Sequence, residues 1–260
     1  MPGEIKIVPR NPDCIRVIQI TDTHIFASAE ADFDGLDTSA SLDAVIDHIK
    51  QKRVKADMVL VTGDLVHDPV LAAYQKLEQQ LESLGLPTFC LPGNHDDPAL
   101  MHSLLNQTDI HTNKVIKAGE WCIVLLDSFL EGSHSGRLQE QEIEFLQQNL
   151  QGVKEESILL CLHHPPVSIE SSWMDAMMLE NPEDLFSVID EQKAVRAIIW
   201  GHIHQVFRKE RNGVVLYGSP STCIQFKPKS DEFIRDELGP AYSILLLHKD
   251  GRVEIETVHI

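Results

Sequence analysis

The chain has 260 residues, with 22 Lys plus Arg against 40 Asp plus Glu and a formal charge of −18. That balance excludes a polyanion such as duplex DNA, whose phosphates need cationic partners, but not a small phosphorylated substrate whose charge is offset by bound metal ions. A hydrophobic content of 43% fits a soluble globular protein with a sizeable core, and no run approaches the ~18 apolar residues of a membrane span.

The start, Met1-Pro2-Gly3-Glu4-Ile5-Lys6, lacks the basic and apolar regions of a secretory signal. The five cysteines are odd in number and form no close pairs. They read as reduced thiols, and the protein as cytoplasmic. Residues 1–14, with Pro2, Pro9 and Pro12, are expected to run irregularly over the surface.

The stretch Arg16 to His24, an apolar, β-branched run that stops at Asp22-x-His24, reads as the first strand. Leu42, Val45, Ile46 and Ile49 then recur at helical spacing, with Ser39 or Ser41 as the expected cap. A strand over residues 58–62 ends at Gly63-Asp64, and a helix over residues 70–84 closes at Gly85. A strand over 88–91 ends at Pro92-Gly93-Asn94-His95-Asp96 and is followed by a helix over 98–105. Strands over 114–117 and 121–126 lead to Asp127-Ser128, a Gly/Ser loop and a helix over 138–150. A strand over 157–162 ends at His163-His164-Pro165-Pro166. A loop carrying Trp173, a helix over 182–192 and a strand over 194–200 lead to Gly201-His202-x-His204. Asn212-Gly213 and Lys249-Asp250-Gly251 mark two closing hairpins. The pattern predicts one α/β (α+β) domain over residues 1–260, a two-layered mixed β-sandwich flanked by helices.

Five strand ends therefore carry ligand-grade side chains: Asp22 and His24; Asp64; Asn94 and His95; His163 and His164; His202 and His204. Each has a bland alternative, such as Asn94 in a turn, Asp64 as a helix cap, or His202 and His204 as partly buried strand histidines. Taken together they point to one rim, because ligands in open α/β sheets bind beyond the carboxyl ends of the strands. So many donors exceed one tetrahedral zinc and suit two ions sharing a bridging carboxylate. Mixed oxygen and imidazole donors favour Fe, Mn, Zn or Co over Ca or Mg. The lack of cysteine donors argues against structural zinc.

Asp22-x-His24, Gly63-Asp64, Gly93-Asn94-His95-Asp96, His163-His164-Pro165 and Gly201-His202-x-His204 resemble, in order and spacing, the five-block signature of calcineurin-like metallophosphoesterases. Residues 20–24, 91–96, 125–128 and 220–228 extend the resemblance to the bacterial class III 3′,5′-cyclic AMP phosphodiesterases. The chain ends at Ile260, where some relatives are expected to continue into a tail that bears on dimer contacts or substrate capping.

The resemblance implies a metallo-dependent phosphatase-like fold and two ions. One would be held by Asp22, His24, Asp64 and His204; the other by Asp64, Asn94, His163 and His202, with His163 favoured over His164. Substrate phosphate is expected among His24, Asp64, Asn94, His95, His164 and His204, with His164 beside the metal shell. A hydroxide bridging the ions would attack phosphorus of 3′,5′-cyclic AMP and give 5′-AMP. His95, oriented by Asp96, would protonate the departing 3′ oxygen. Phe226, Trp173, Met177 and Met178 are candidates for an apolar wall against the purine.

The expected partner is a small cyclic nucleotide, with no nucleic-acid polymer and no membrane; a homodimer is left open. A broader phosphodiesterase or phosphomonoesterase on the same centre is the enzymatic alternative. A scaffold that has lost its chemistry would lack ligands, and every ligand position here is filled. A nuclease subunit would want a basic strand-binding surface.

Overall fold

A computed structural model describes residues 4–106, 109–151 and 157–260. In chain order the elements are β1 (Ile5–Ile7), β2 (Cys14–Ile20), α1 (Thr38–Gln51), β3 (Met58–Thr62), α2 (Leu71–Glu82), β4 (Thr88–Leu91), α3 (Pro98–Leu104) and β5 (Ile110–His111). Then follow β6 (Val115–Ala118), β7 (Trp121–Leu125), α4 (Glu140–Leu150), β8 (Ser157–Cys161), α5 (Ser172–Asp175), α6 (Pro182–Ile189), β9 (Val195–Trp200), β10 (Phe207–Arg211), β11 (Val214–Gly218), β12 (Ala241–His248) and β13 (Val253–His259).

The strands form two mixed sheets, ordered β1-β6-β7-β8-β9-β11-β10 and β13-β12-β2-β3-β4-β5. Alternating side chains divide each strand between two cores. Val17, Met58, Leu60 and Phe89 of one sheet meet Ile123, Leu159, Ala197 and Ile199 of the other in the layer between the sheets. Ile18, Ile20, Val59 and Val61 turn outward onto Leu42, Val45 and Ile46 of α1 and Leu77 and Leu81 of α2. Val124, Leu160 and Ile198 turn outward onto Leu146 and Leu150 of α4 and Leu185 and Ile189 of α6. Each fully buried aliphatic side chain contributes about 1.5–3 kcal/mol, so the pattern that makes the strands also fixes which face is which.

Three expectations are corrected. Residues 5–7 are a strand, not irregular surface: Ile5 and Ile7 pair in parallel with Ile116 and Ala118 on β6. Asp37, not Ser39 or Ser41, caps α1, its carboxylate accepting from Ala40 N at 3.0 Å. The Trp173 loop contains a helical turn, α5. The short β5 has no alternation to read and pairs with β4 through two residues.

What positions the site is the direction of six strands. β2, β3 and β4 run parallel, with Ile20 level with Val61 and Val61 level with Cys90. β7, β8 and β9 run parallel in the facing sheet. At the rim the layers are stitched together: the buried Gln19 donates to Thr62 Oγ1 at 3.0 Å and to Trp200 O at 3.2 Å. Among the described residues no helix is long and apolar enough to cross a membrane.

Candidate metal centre

Beyond β2 and β3 the chains leave the sheet side by side. Asp22 N donates to Gly63 O, His24 N to Asp64 O and Ile25 N to Leu65 O, at 3.0–3.2 Å. Thr21 and Thr23 cross the same seam, their hydroxyls donating to Thr62 O and Leu65 O. The exits of β2, β3 and β9 adopt left-handed backbone at residues other than glycine: Asp22 (φ 53°), His24 (44°), Asp64 (49°), His202 (68°) and His204 (45°). Such conformations are uncommon for non-glycine residues, cost ~1–3 kcal/mol each, and gather where function demands them.

The glycines are required by space. A Cβ on Gly93 would lie 2.2 Å from both Asp64 N and Asp64 Oδ1; one on Gly201 would lie 2.0 Å from Thr21 Oγ1. A Cβ on Gly63 would lie 2.3 Å from His163 Nδ1.

The side chains converge as two donor sets that share Asp64. In the first, His24 Nε2 stands 3.5 Å from Asp64 Oδ2 and 3.3 Å from His204 Nε2, which is 3.3 Å from Asp22 Oδ1. In the second, His163 Nε2 stands 3.3 Å from Asp64 Oδ1 and 3.2 Å from Asn94 Oδ1, and its ring centroid is 5.0 Å from that of His202. Carbonyls fix the tautomers. Nδ1 of His163 faces Thr62 O and Nδ1 of His204 faces Ile224 O, each at 2.9 Å, so both Nε2 atoms turn into the centre.

Burial pushes the His24 and His202 imidazoles well below their ordinary pKa. It also opposes charge on His163 and His204. For these two, however, the carboxylates prevail: Asp64 pushes His163 up to about 9, and Asp22, with Cys223, pushes His204 up to about 10. Asp64 suffers the same burial, but His163 and His24 hold its carboxyl well below the usual range.

The donors fit a pair of cations. His202 Nε2 is buried without a hydrogen-bond partner, a costly state that a metal ion removes. Buried carboxylates facing several imidazoles make a mixed oxygen and nitrogen set suited to transition metals.

Other expected residues fall elsewhere. His164 is fully buried, its Nδ1 2.8 Å from Ser128 Oγ, its Nε2 without a hydrogen-bond partner and its ring centroid 4.8 Å from that of His202. Its ring is seated against Gly136, where a Cβ would approach to 2.3 Å.

Asp96 does not orient His95. Its carboxylate accepts from Gly93 N, Leu65 N, Val66 N and the Tyr74 hydroxyl, clamping the β3 and β4 exits together. Burial and the charge of Asp64 push its carboxyl up to about 7. His95 is instead set by its own N–H, which donates to Asp64 Oδ1 at 2.9 Å, and by Nδ1, 3.2 Å from His67 O.

A cavity of about 130 Å³ opens over the centre, bordered by Asn94, His95, His24 and His204 and by an apolar wall of Trp173, Met177 and Phe226. Met178 is not part of it; Met174 and Phe33 are. Phe226 stacks on His204 with ring centroids 4.1 Å apart and planes 3° from parallel.

Sequence reasoning missed His67, Phe33 and His134. His67 Nδ1 lies 3.4 Å from His24 Nδ1, and His134 Nδ1 lies 3.3 Å from Asn94 Nδ2. None of the three ends a strand, so the signal that found the others could not find them.

Residues 15–206 match the calcineurin-like phosphoesterase family. The chain is 35% identical to the 3′,5′-cyclic adenosine monophosphate phosphodiesterase CpdA of Pseudomonas aeruginosa, over 95% of this chain and 90% of that protein. It is 37% identical to a 3′,5′-cyclic-nucleotide phosphodiesterase of Nostoc, over 91% and 89% of the two chains. It is 38% identical to CpdA of Escherichia coli K12, over 93% and 88%. A solved dimetal phosphatase of Danio rerio shares the fold, with a TM-score of 0.68 at 17% identity over 94% of this chain and 98% of that one. The match spans all five strand ends that furnish the shared donor cluster, and the chain belongs to the calcineurin-like phosphoesterase family.

Proposed function

We propose that this chain hydrolyses 3′,5′-cyclic AMP to 5′-AMP as one domain over residues 1–260, with two transition-metal ions, and does so in the cytoplasm. The observation that carries the reading is the shared carboxylate of Asp64, set between two imidazole-bearing donor sets and opening onto a cavity bordered by His95. The curated relatives supply the substrate class, since those named act on cyclic nucleotides. The five free cysteines, four of them buried, suit a reducing compartment.

Asp22, His24, Asp64 and His204 are the ligands of one ion, and Asp64, Asn94, His163 and His202 those of the other. Bound there, the pair of ions supplies an activated water and screens charge on the phosphoryl group. His95 is half-buried at the cavity edge with Nδ1 committed to a carbonyl, which leaves Nε2 to contact a phosphoryl oxygen and, when the ring is doubly protonated, to pass a proton to the departing O3′. Phe226 and Trp173 offer flat apolar surface to a base. A molecule of the size of cyclic AMP exceeds the cavity as it stands, so its base lies across the apolar wall.

The test is incubation of the purified, metal-loaded protein with cyclic AMP, cyclic GMP and bis-p-nitrophenyl phosphate, with the products identified. Formation of 5′-AMP at the highest kcat/KM supports the reading. Preference for the simple diester, or formation of 3′-AMP, would reject it in favour of a broader phosphodiesterase.

A further inference from the structure

His134 lies on the loop between β7 and α4, far in sequence from every strand end, yet it borders the cavity over the metal centre beside Asn94 and His95. The loop is held in place from both sides. Gly136 N donates to Met178 O at 3.2 Å, Glu180 N donates to Gly136 O at 2.7 Å, and Ser135 Oγ donates to Ala176 O at 3.3 Å. Gly136 is also packed on the ring of His164, where no Cβ could fit. The imidazole of His134 is thus carried by a fixed support while its own side chain remains exposed to the cavity mouth.

The tautomer of His134 follows from Asn94. Of the two ends of that amide, only the oxygen can ligate a cation, and Oδ1 does face the centre, 3.2 Å from His163 Nε2. Nδ2 therefore faces outward and donates, and the atom it meets at 3.3 Å is His134 Nδ1. An imidazole that accepts at Nδ1 carries its proton on Nε2. His95 is set the opposite way, because Nδ1 faces the carbonyl of His67 at 3.2 Å and must carry the proton there. In the neutral state, then, His95 presents a lone pair at Nε2 and His134 presents an N–H. The two rings stand with centroids 5.9 Å apart on one cavity wall.

We propose that His134 is a further catalytic residue, whose Nε2–H donates a hydrogen bond to a non-bridging phosphoryl oxygen of the bound diester. It needs no change of protonation to do so. Its contribution is electrostatic, like that of an oxyanion-hole donor aimed at an oxygen on which charge builds in the transition state. The amide of Asn94 links that donor to the metal shell, so loading the second ion also orders the donor. The proposal rests on the phosphodiesterase reading for its substrate but not for its geometry.

The test has two arms. Nitrogen-15 spectra of the zinc-loaded full chain should show His134 protonated on Nε2 and His95 protonated on Nδ1. His134→Leu should lower kcat on both cyclic AMP and bis-p-nitrophenyl phosphate by roughly 10²-fold, the scale for removal of one such donor. KM and the content of two metal ions should stay near wild type, and His134→Gln, which keeps an N–H donor that does not titrate, should recover part of the lost kcat with an unchanged pH profile. Full kcat in His134→Leu on either substrate, or an Nδ1 proton on His134, would overturn the proposal. If cyclic AMP is not hydrolysed at all while the simple diester shows the His134 effect, the substrate reading fails and this inference stands.

Discussion

Left-handed backbone in two regions of this molecule, the closing hairpins and the metal rim, means different things in each. In the β10–β11 and β12–β13 hairpins it falls on Asn212 (φ 53°), Gly213 (81°) and Gly251 (85°), residue types that adopt it at little cost. At the metal rim it falls on Asp22, His24, Asp64, His202 and His204, none of which is glycine or asparagine. The hairpins are optimised for folding alone. The rim accepts local strain at the residues that supply the donors, where the chain leaves the sheet and function rather than turn chemistry sets the backbone.

The largest effect that would sharpen this contrast is chemical. His95→Ala should lower turnover on cyclic AMP by about 10²–10⁴-fold with metal content unchanged, since His95 borders the cavity without belonging to either donor set. Loss of metal in that variant would move His95 into the ligand shell and erase the distinction between the centre and its mouth.

Next in size is a pair of alanine substitutions at glycines. Gly93→Ala would drive a methyl group into Asp64 and should cost about 3 kcal/mol of stability together with the second ion. Gly85→Ala, at φ +62° with nothing within 4 Å, should cost only the roughly 1–2 kcal/mol of a left-handed alanine and leave activity intact. Denaturant unfolding of both variants reads the difference; equal costs would mean that the rim is no more crowded than a helix end.

A third expectation concerns protons. In the metal-free protein His163 and His204 are raised from 6.5 to about 9 and about 10, so both are protonated at pH 7. A ligating imidazole must be neutral, so metal loading at pH 7 should release up to about two protons, seen by calorimetry in buffers of different ionisation enthalpy. Because both pKa values are raised on folding, these pairs stabilise the metal-free fold fully below about pH 6.5. That stabilisation is lost as the pH climbs through 9 and 10. The chelated protein should therefore melt lower at pH 10 than at pH 7, and a level melting curve would count against strong pairing in the rim. The smallest effect lies outside the rim: Asp37→Ala should cost ~1 kcal/mol through the lost cap of α1, with no change in kcat.

Much of this was legible in the sequence. β3 and β4 fall at the expected residues because their apolar runs are bounded sharply by Gly63 and Pro92. The donors were legible for the same reason, since each sits where such a run ends. What was not legible depends on contacts across the chain. β1 has only three residues, and its strand character comes from pairing with β6, about a hundred residues away. Asp96 follows His95 in sequence, which suggested a partnership, but its carboxylate turns to the amides of residues 65, 66 and 93. His164 follows His163 and their ring centroids stand 4.8 Å apart, yet their Nδ1 atoms take different partners, Thr62 O and Ser128 Oγ. His134 carries no local pattern at all; only the loop's two-sided anchorage brings it beside Asn94.

Elemental analysis of the reconstituted chain and two variants puts the convergence of the strand ends to a direct count. Wild type should hold about two transition-metal ions, His202→Ala about one and Asp64→Ala close to none, because Asp64 serves both donor sets and His202 one. A single ion in the wild type, or two retained without Asp64, would contradict the shared-carboxylate arrangement and the hydrolytic chemistry built on it.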